Sequence, residues 1–201
     1  MRPRPVQPRR LRVKLPILTP RLLLRPPRLT DLPSLVPLVG DWRVARPTRI
    51  PHPYSRKEGE EFVRTSDRKR RAGVSLYLLI FDRKTGRLVG GTGLHEIDWT
   101  DCRFELGYWV APSDWGQGVA SEAAYAVCRA AFGTLGLHRV NANVYAFNPR
   151  SARVLTKLGF RLEGRSRKHH RDGRRWVDML RFGLLKGELQ PPRAGARSLA
   201  A

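Results

Sequence analysis

Two glycines separated by one residue, Gly116-Gln117-Gly118, stand between a run that alternates and a run that repeats at helical spacing. The run before them, "RFELGYWVA" (103–111), puts Phe104, Leu106, Tyr108 and Val110 on one side, as a strand with one buried face does. The run after them returns Val119, Ala123, Val127 and Ala131 every four residues and reads as a helix to about residue 134. The chain therefore passes from strand to helix through its most permissive residues. The first four N–H groups of a helix have no internal partner. The helix dipole adds partial positive charge there, and glycines let a ligand reach the backbone. Such a junction suits a phosphate or pyrophosphate. A lone G-x-G also fits an ordinary tight connection. A P-loop is excluded because no Lys follows the second glycine. A dinucleotide fingerprint is a poor fit, because its third glycine position is Ser121 and the preceding strand lies in mid-chain.

The remaining pattern mixes strands and helices. "RLLLRP" (21–26) reads as a strand near an edge, and "LTDLPSLVPLVGDW" as a helix capped by Thr30 or Asp31. Residues 55–73 read as an exposed helix. Residues 74–82 and 87–97 read as strands joined by a Thr85-Gly86 turn, and 137–146 as a strand with Val140, Ala142 and Val144 on one face. In "NPRSARVLTKLGF" (148–160), Asn148 is an N-cap and Pro149 suits the first helical position. Gly159 stands where a left-handed residue ends a helix, and Phe160 can pack back on Leu155 or Leu158. Two final strands, near 160–168 and 174–185, are expected to turn at Asp172-Gly173. The order implies an α/β (α+β) fold, a mixed sheet covered by helices.

The 201 residues suit one domain, with 41% apolar residues to build its core. A net charge of +22 points to acidic partners such as nucleic acid, ribosomes, an anionic membrane or a phosphorylated ligand. Cys102 and Cys128 lack metal-ligand spacing and read as free thiols, buried or partly so, which fits a reducing, cytoplasmic compartment. No apolar run approaches the roughly 18 residues of a membrane span, so no membrane partner is expected. Residues 1–15 begin with six Lys or Arg, three Pro and no acid in fourteen positions and read as a disordered basic tail, either solvated or an arm for nucleic acid. The folded domain is expected at 16–189 and a flexible tail at 190–201.

Four segments in this order, "TPRLLLRP" (19–26), "ELGYWVAPSDWGQGVASEA" (105–123), "LHRVNANVYAFNPRSARVLTKLGFRLEG" (137–164) and "DGRRWVDML" (172–180), resemble the GCN5-related N-acetyltransferase (GNAT) family over about 170 residues. More narrowly they are similar to the branch of ribosomal-protein-alanine N-acetyltransferases. The resemblance implies a mostly antiparallel twisted sheet of six to seven strands flanked by helices, with a central parallel pair that splays. It implies acetyl-CoA as cosubstrate, its pyrophosphate on the backbone amides of Gly116, Gln117, Gly118, Val119, Ala120 and Ser121. The pantetheine arm would lie between the strand ending at Trp109 and Val110 and the strand 137–146. The branch implies a protein or peptide amine, ribosomal proteins among them, as acceptor; the alternatives are a small-molecule amine acetyltransferase of the same fold, or a basic nucleic-acid- or ribosome-binding protein with an inactive GNAT domain, and family dimers raise the expectation of a homodimer. Trp115 stands where many members carry Arg or Gln, a change that backbone contacts survive.

Acetyl transfer to an amine needs a base for the ammonium proton and donors for the oxygen of the tetrahedral intermediate. Glu105, on the central strand among apolar neighbours, is the candidate base; the alternative is an exposed or salt-bridged strand glutamate. Ser151 is the candidate on the thiol side, because the family's usual Tyr position holds Leu155 here. Asn148, at the start of the same helix, is a candidate cofactor-binding residue; the alternative is that Asn148 and Ser151 only cap their helix. A backbone N–H near Val110 is the expected oxyanion donor. Arg153 could meet a phosphate of CoA, or it could be a solvated side chain like Arg150 and Lys157. Trp42, His52 and Tyr54 fall in the region that lines the acceptor site in this family. His170, beside His169 on a basic loop, could relay protons there or simply be solvated.

Overall fold

The computed structural model describes residues 11–192; the tail expectations for 1–10 and 193–201 lie outside them. The strands are β1 (Ile17–Leu18), β2 (Leu22–Arg25), β3 (Leu76–Asp82), β4 (Leu88–Asp98), β5 (Arg103–Val110), β6 (Arg139–Tyr145), β7 (Arg161–Asp172) and β8 (Arg175–Leu185). The helices are α1 (Leu32–Gly40), α2 (Trp42–Ala45), α3 (Arg56–Arg71), α4 (Val119–Gly133) and α5 (Pro149–Lys157). One sheet runs in the order β1-β2-β3-β4-β5-β6-β8-β7, antiparallel except for the β5–β6 pair. It has eight strands rather than six or seven. The two-residue β1 pairs with β2 at the edge, too short to show an alternation in sequence.

Alternation along the strands builds two cores. Leu76, Leu78 and Ile80 of β3 and Phe104 and Leu106 of β5 face α4 and α5, where they meet Val119, Ala123, Val127, Ala131, Leu155 and Leu158. The opposite face is smaller: Leu79 and Leu88 pack with Leu32, Leu35 and Val39 of α1 and Val63 of α3. Leu11, Val13 and Leu15, assigned to the tail by composition, also pack against the larger core. Cys128 is buried there and Cys102 partly so, both as free thiols.

The local rules explain most boundaries. Ser55 and Glu58 form a capping box at the start of α3. Asn148 caps α5 by accepting from the Ser151 N–H at 3.2 Å. Gly159 takes φ +94°, and the Phe160 N–H returns to the Leu155 carbonyl at 3.1 Å. Three expectations shift. The helix through Trp42 breaks at Asp41, whose extended backbone (ψ 122°) lets its carboxylate cap α2. The last turn is Gly173-Arg174, because Asp172 already pairs with Arg175. His169 and His170 lie in β7, at a register shift against β8, and not in a loop.

Leu155 is fully buried where α5 meets the sheet. Leu155→Ala should lower unfolding free energy by about 3 kcal/mol, read from urea denaturation; a loss below about 1 kcal/mol would mean that α5 is not anchored to this core.

Candidate functional site

The parallel pairing of β5 and β6 is short. Arg103, Phe104 and Glu105 lie opposite Arg139, Val140 and Asn141, and pairing stops there although both strands continue. Beyond it a gap opens, leading into a groove of about 2520 Å³ that reaches from α2 and α3 to the ends of α4 and α5. Each strand keeps its outer partner: β5 is paired to β4 as far as Val110, and β6 to β8 as far as Tyr145. The Ala111 N–H bonds the Val89 carbonyl at 2.9 Å on the β4 side. Alternation therefore turns the Val110 N–H and C=O toward the gap. The Val110 carbonyl accepts the Trp115 indole N–H at 2.8 Å. Trp109 is engaged elsewhere: its backbone pairs with Gly91 of β4, and its indole occupies the space that a side chain at Gly91 would fill.

At the end of β5 the chain turns through Pro112–Asp114 into the glycine loop. Arg87 grips Asp114 there (2.6 and 2.9 Å), and the Gln117 side chain returns to the Ser113 carbonyl. Gly116 and Gly118 both take φ +79°, a conformation that other residues rarely adopt. Nothing lies within 4 Å of where a Cβ on Gly116 would stand. No side chain caps α4, so the N–H groups of Val119, Ala120 and Ser121 have no partner among the described residues. Arg21 braces the loop, donating to the Gln117 carbonyl at 3.0 Å and pairing with Glu122 at 2.6 Å. An uncapped 15-residue helix behind an open, left-handed glycine turn can accept an anion on its backbone.

The candidate chemical groups flank the gap from opposite faces of the sheet. Glu105 projects on the α1–α3 face. Its neighbours are not apolar as expected: one carboxylate oxygen is held by Arg49 and the other accepts from Asn143 Nδ2 at 3.0 Å. Across β4 its register partner is His95, whose imidazole covers Gly107 and meets Tyr77 edge-on at 4.8 Å. Burial, with help from Arg49 and Lys69, pushes that imidazole down to about 4, so it is neutral at pH 7. On the α4–α5 face the Tyr108 hydroxyl meets Ser151 Oγ at 2.9 Å and can donate to the Ser151 carbonyl at 3.1 Å, spanning the gap from β5 to α5. Burial raises the Tyr108 phenol well above its ordinary range, which keeps it protonated. Asn148 spends its side-chain oxygen on the α5 cap, and Arg153 is exposed along the groove.

The proposed acceptor residues do share this groove. Trp42 packs against His52 with ring centres 5.1 Å apart. Tyr54 is partly buried beside Glu58, and burial first, then that charge, pushes its phenol up to about 12. His170 stacks on Tyr145 at 4.5 Å, and Tyr145 on Phe147 at 5.4 Å. Nothing in the sequence assigns a chemical role to Arg49, Asn143, His95 or Tyr108. Gly107 was the available clue to His95, since a strand glycine often marks a close approach.

The depressed His95 imidazole makes stability depend on pH. Its folded pKa lies below the unfolded value near 6.5, so the unfolded chain takes up the proton first. Stability is complete above about pH 6.5 and falls as pH drops toward 4. His95→Gln should remove about 2 kcal/mol of the loss between pH 7 and 4.5, as measured by urea unfolding at the two pH values; an unchanged loss would show that His95 is not the group responsible.

Residues 21–161 match the family model described as "Acetyltransferase (GNAT) domain". An uncharacterized N-acetyltransferase, p20, of Bacillus licheniformis is 29% identical over 170 residues, covering 85% of this chain and 96% of that one. The [ribosomal protein uS5]-alanine N-acetyltransferase of Escherichia coli is 27% identical over 124 residues, 60% of this chain and 63% of that one. Among solved structures, Mycobacterium smegmatis RimJ in complex with CoA-disulfide superposes with a TM-score of 0.73 at 25% identity, over 82% of this chain and 81% of that one. With the family model matched through the glycine loop, the splayed strands and α5, the chain belongs to the GNAT family of N-acetyltransferases.

Proposed function

We propose that this N-acetyltransferase transfers acetyl from acetyl-CoA directly to the α-amine of a protein N-terminus within a ternary complex. The observation that carries the reading is the division of the site: Glu105 stands on one face of the sheet, the α4 amides and Ser151 on the other, with the β5–β6 gap between them. The two substrates can then approach from different sides and meet without a covalent enzyme intermediate.

The residues present fit the cosubstrate. The α4 amides and the Gly116–Gly118 turn offer a seat for a pyrophosphate, and the unpaired inner edges of β5 and β6 offer backbone partners to an amide-bearing arm. When bound, acetyl-CoA supplies an activated thioester acyl group. The Val110 N–H, turned into the gap, would donate to the acyl oxygen as charge develops on it. Glu105 takes the proton from the acceptor ammonium, directly or through a water, while Asn143 holds its second oxygen. Ser151 Oγ, oriented by the protonated Tyr108 hydroxyl, holds a proton on the thiol side.

One feature favours a peptide acceptor. The groove is walled by the Trp42–His52 and Tyr145–His170 aromatic pairs, surfaces suited to an extended chain. The relative that acetylates the alanine of uS5 agrees with this choice.

Acetyl-CoA at about 100 times its dissociation constant should stabilise the fold by about 2.7 kcal/mol. Gly118→Asp should abolish that shift, by placing a carboxylate in a left-handed position beside the pyrophosphate; an undiminished shift would sink the assignment of the loop. Glu105→Gln should keep the shift and lower kcat toward an Ala-starting peptide about 100-fold or more. Mass spectrometry of a cytosolic extract incubated with enzyme and acetyl-CoA should find the label on protein N-termini. Label on polyamines alone would overturn the acceptor class.

A further inference from the structure

The β7–β8 hairpin outruns the sheet. The last residue of β6, Tyr145, lies opposite Met179, and the hairpin continues from there to its turn at Gly173. Its distal half overhangs the end where the gap opens, tied to α2 by the Arg46–Asp172 ion pair at 3.1 Å. Residues 161–178 hold seven Lys or Arg against three acids. All three acids are already engaged: Glu163 by Arg139, Asp172 by Arg46 and Asp178 by Arg165. Arg161 pairs with Glu188. Arg167, Lys168, Arg171, Arg174 and Arg175 are exposed and make no ion pair with any described residue. On the same hairpin Trp176 leaves 59% of its surface in water. Arg171 and Trp176 are register partners, so guanidinium and indole share one face.

An exposed indole at the centre of unpaired cations contributes little to the core, and its setting repels other cations. It has the composition of a surface that holds a phosphate backbone while stacking an unpaired base. A duplex hides its bases from such a platform, and an acidic peptide offers charge but seldom a flat ring to stack. Unpaired bases in loops and bulges are the usual targets of RNA recognition. We infer that the tip of the β7–β8 hairpin binds an unpaired stretch of RNA, with Trp176 stacked on a base and the five free cations on phosphates. This surface adjoins the acceptor groove, which His170 and Arg171 also line, and the inference does not depend on the acceptor proposed above.

The test uses the full chain and a fluorescein-labelled single-stranded RNA of about twelve nucleotides, read by anisotropy. With about four phosphates neutralised, affinity should fall roughly 50-fold between 50 and 200 mM salt. Trp176→Ala should weaken binding about tenfold, and Trp176→Phe, which keeps a ring, should restore most of it. The triple reversal R167E/R171E/R175E should lose far more affinity than R56E/R68E/R71E on α3, which changes net charge equally. Equal losses in the two triples would show that bulk charge alone attracts RNA and would overturn the site. So would Trp176→Ala with wild-type affinity, a single exposed change that does not depend on the triples folding. An oligoglutamate peptide that displaces the RNA as well as unlabelled RNA does would overturn the choice of partner.

Discussion

The contact between β5 and β6 ends after three residue pairs, and the rest of the site depends on that short contact. Backbone N–H and C=O groups withdrawn from water need partners. Along the diverging segment each strand keeps only its outer neighbour, so two inner edges face one another unpaired. A sheet that stayed closed here would have no room for a substrate. One that opened further would lose the pairing of Phe104 with Val140, both fully buried in the main core. The buried pair holds the base of the wedge, and the wedge sets the width of everything beyond it.

Both parallel strands deliver their chain to a helix at the open end. β5 runs through the glycine loop into α4, and β6 runs through Asn148 into α5. Two helix N-termini therefore converge on one opening, but they differ. The Asn148 side chain takes the Ser151 N–H of α5, Ala152 bonds the Asn148 carbonyl and Pro149 has no N–H, whereas α4 has only a left-handed glycine before it. Among the described residues α5 keeps one unpartnered N–H, that of Arg150, against three at α4, so the positive end of α4 is the natural seat for an anion. The Tyr108–Ser151 contact then ties the two arms of the wedge together on that face.

Local rules were legible in the sequence and long-range ones were not. The boundaries of α3, α4 and α5 rest on caps, turns and periodicity that act within a few residues, and they could be read directly. The α4 stripe of Val119, Ala123, Val127 and Ala131 is buried as its spacing requires. The splay itself carries no local signal and came only from resemblance to a family. The surroundings of Glu105 are not those of its sequence neighbours Phe104 and Leu106, which point to the other face. Its spatial neighbours, Arg49 and Asn143, lie 56 and 38 residues away. A strand exposed on both sides lacks alternation, so the sequence around His169 and His170 reads as loop. β7 is the edge of the sheet, where its side chains need bury nothing.

The pairing of Arg49 with Glu105 bears on how a strongly basic protein handles a cationic acceptor. At +22 the chain as a whole repels ammonium groups, so attraction must come from a few local carboxylates. Glu105 is one of them, and a guanidinium already touches it. The Arg49 side chain is 64% exposed, however, and ion pairs of that exposure contribute about 1 kcal/mol or less. An acceptor ammonium arriving at Glu105 would therefore displace a weak partner, while Asn143 continues to orient the carboxylate from β6. In the proposed reaction the same arrangement keeps Glu105 occupied when no acceptor is present and available when one arrives. A more deeply buried pair would have made the exchange far more costly.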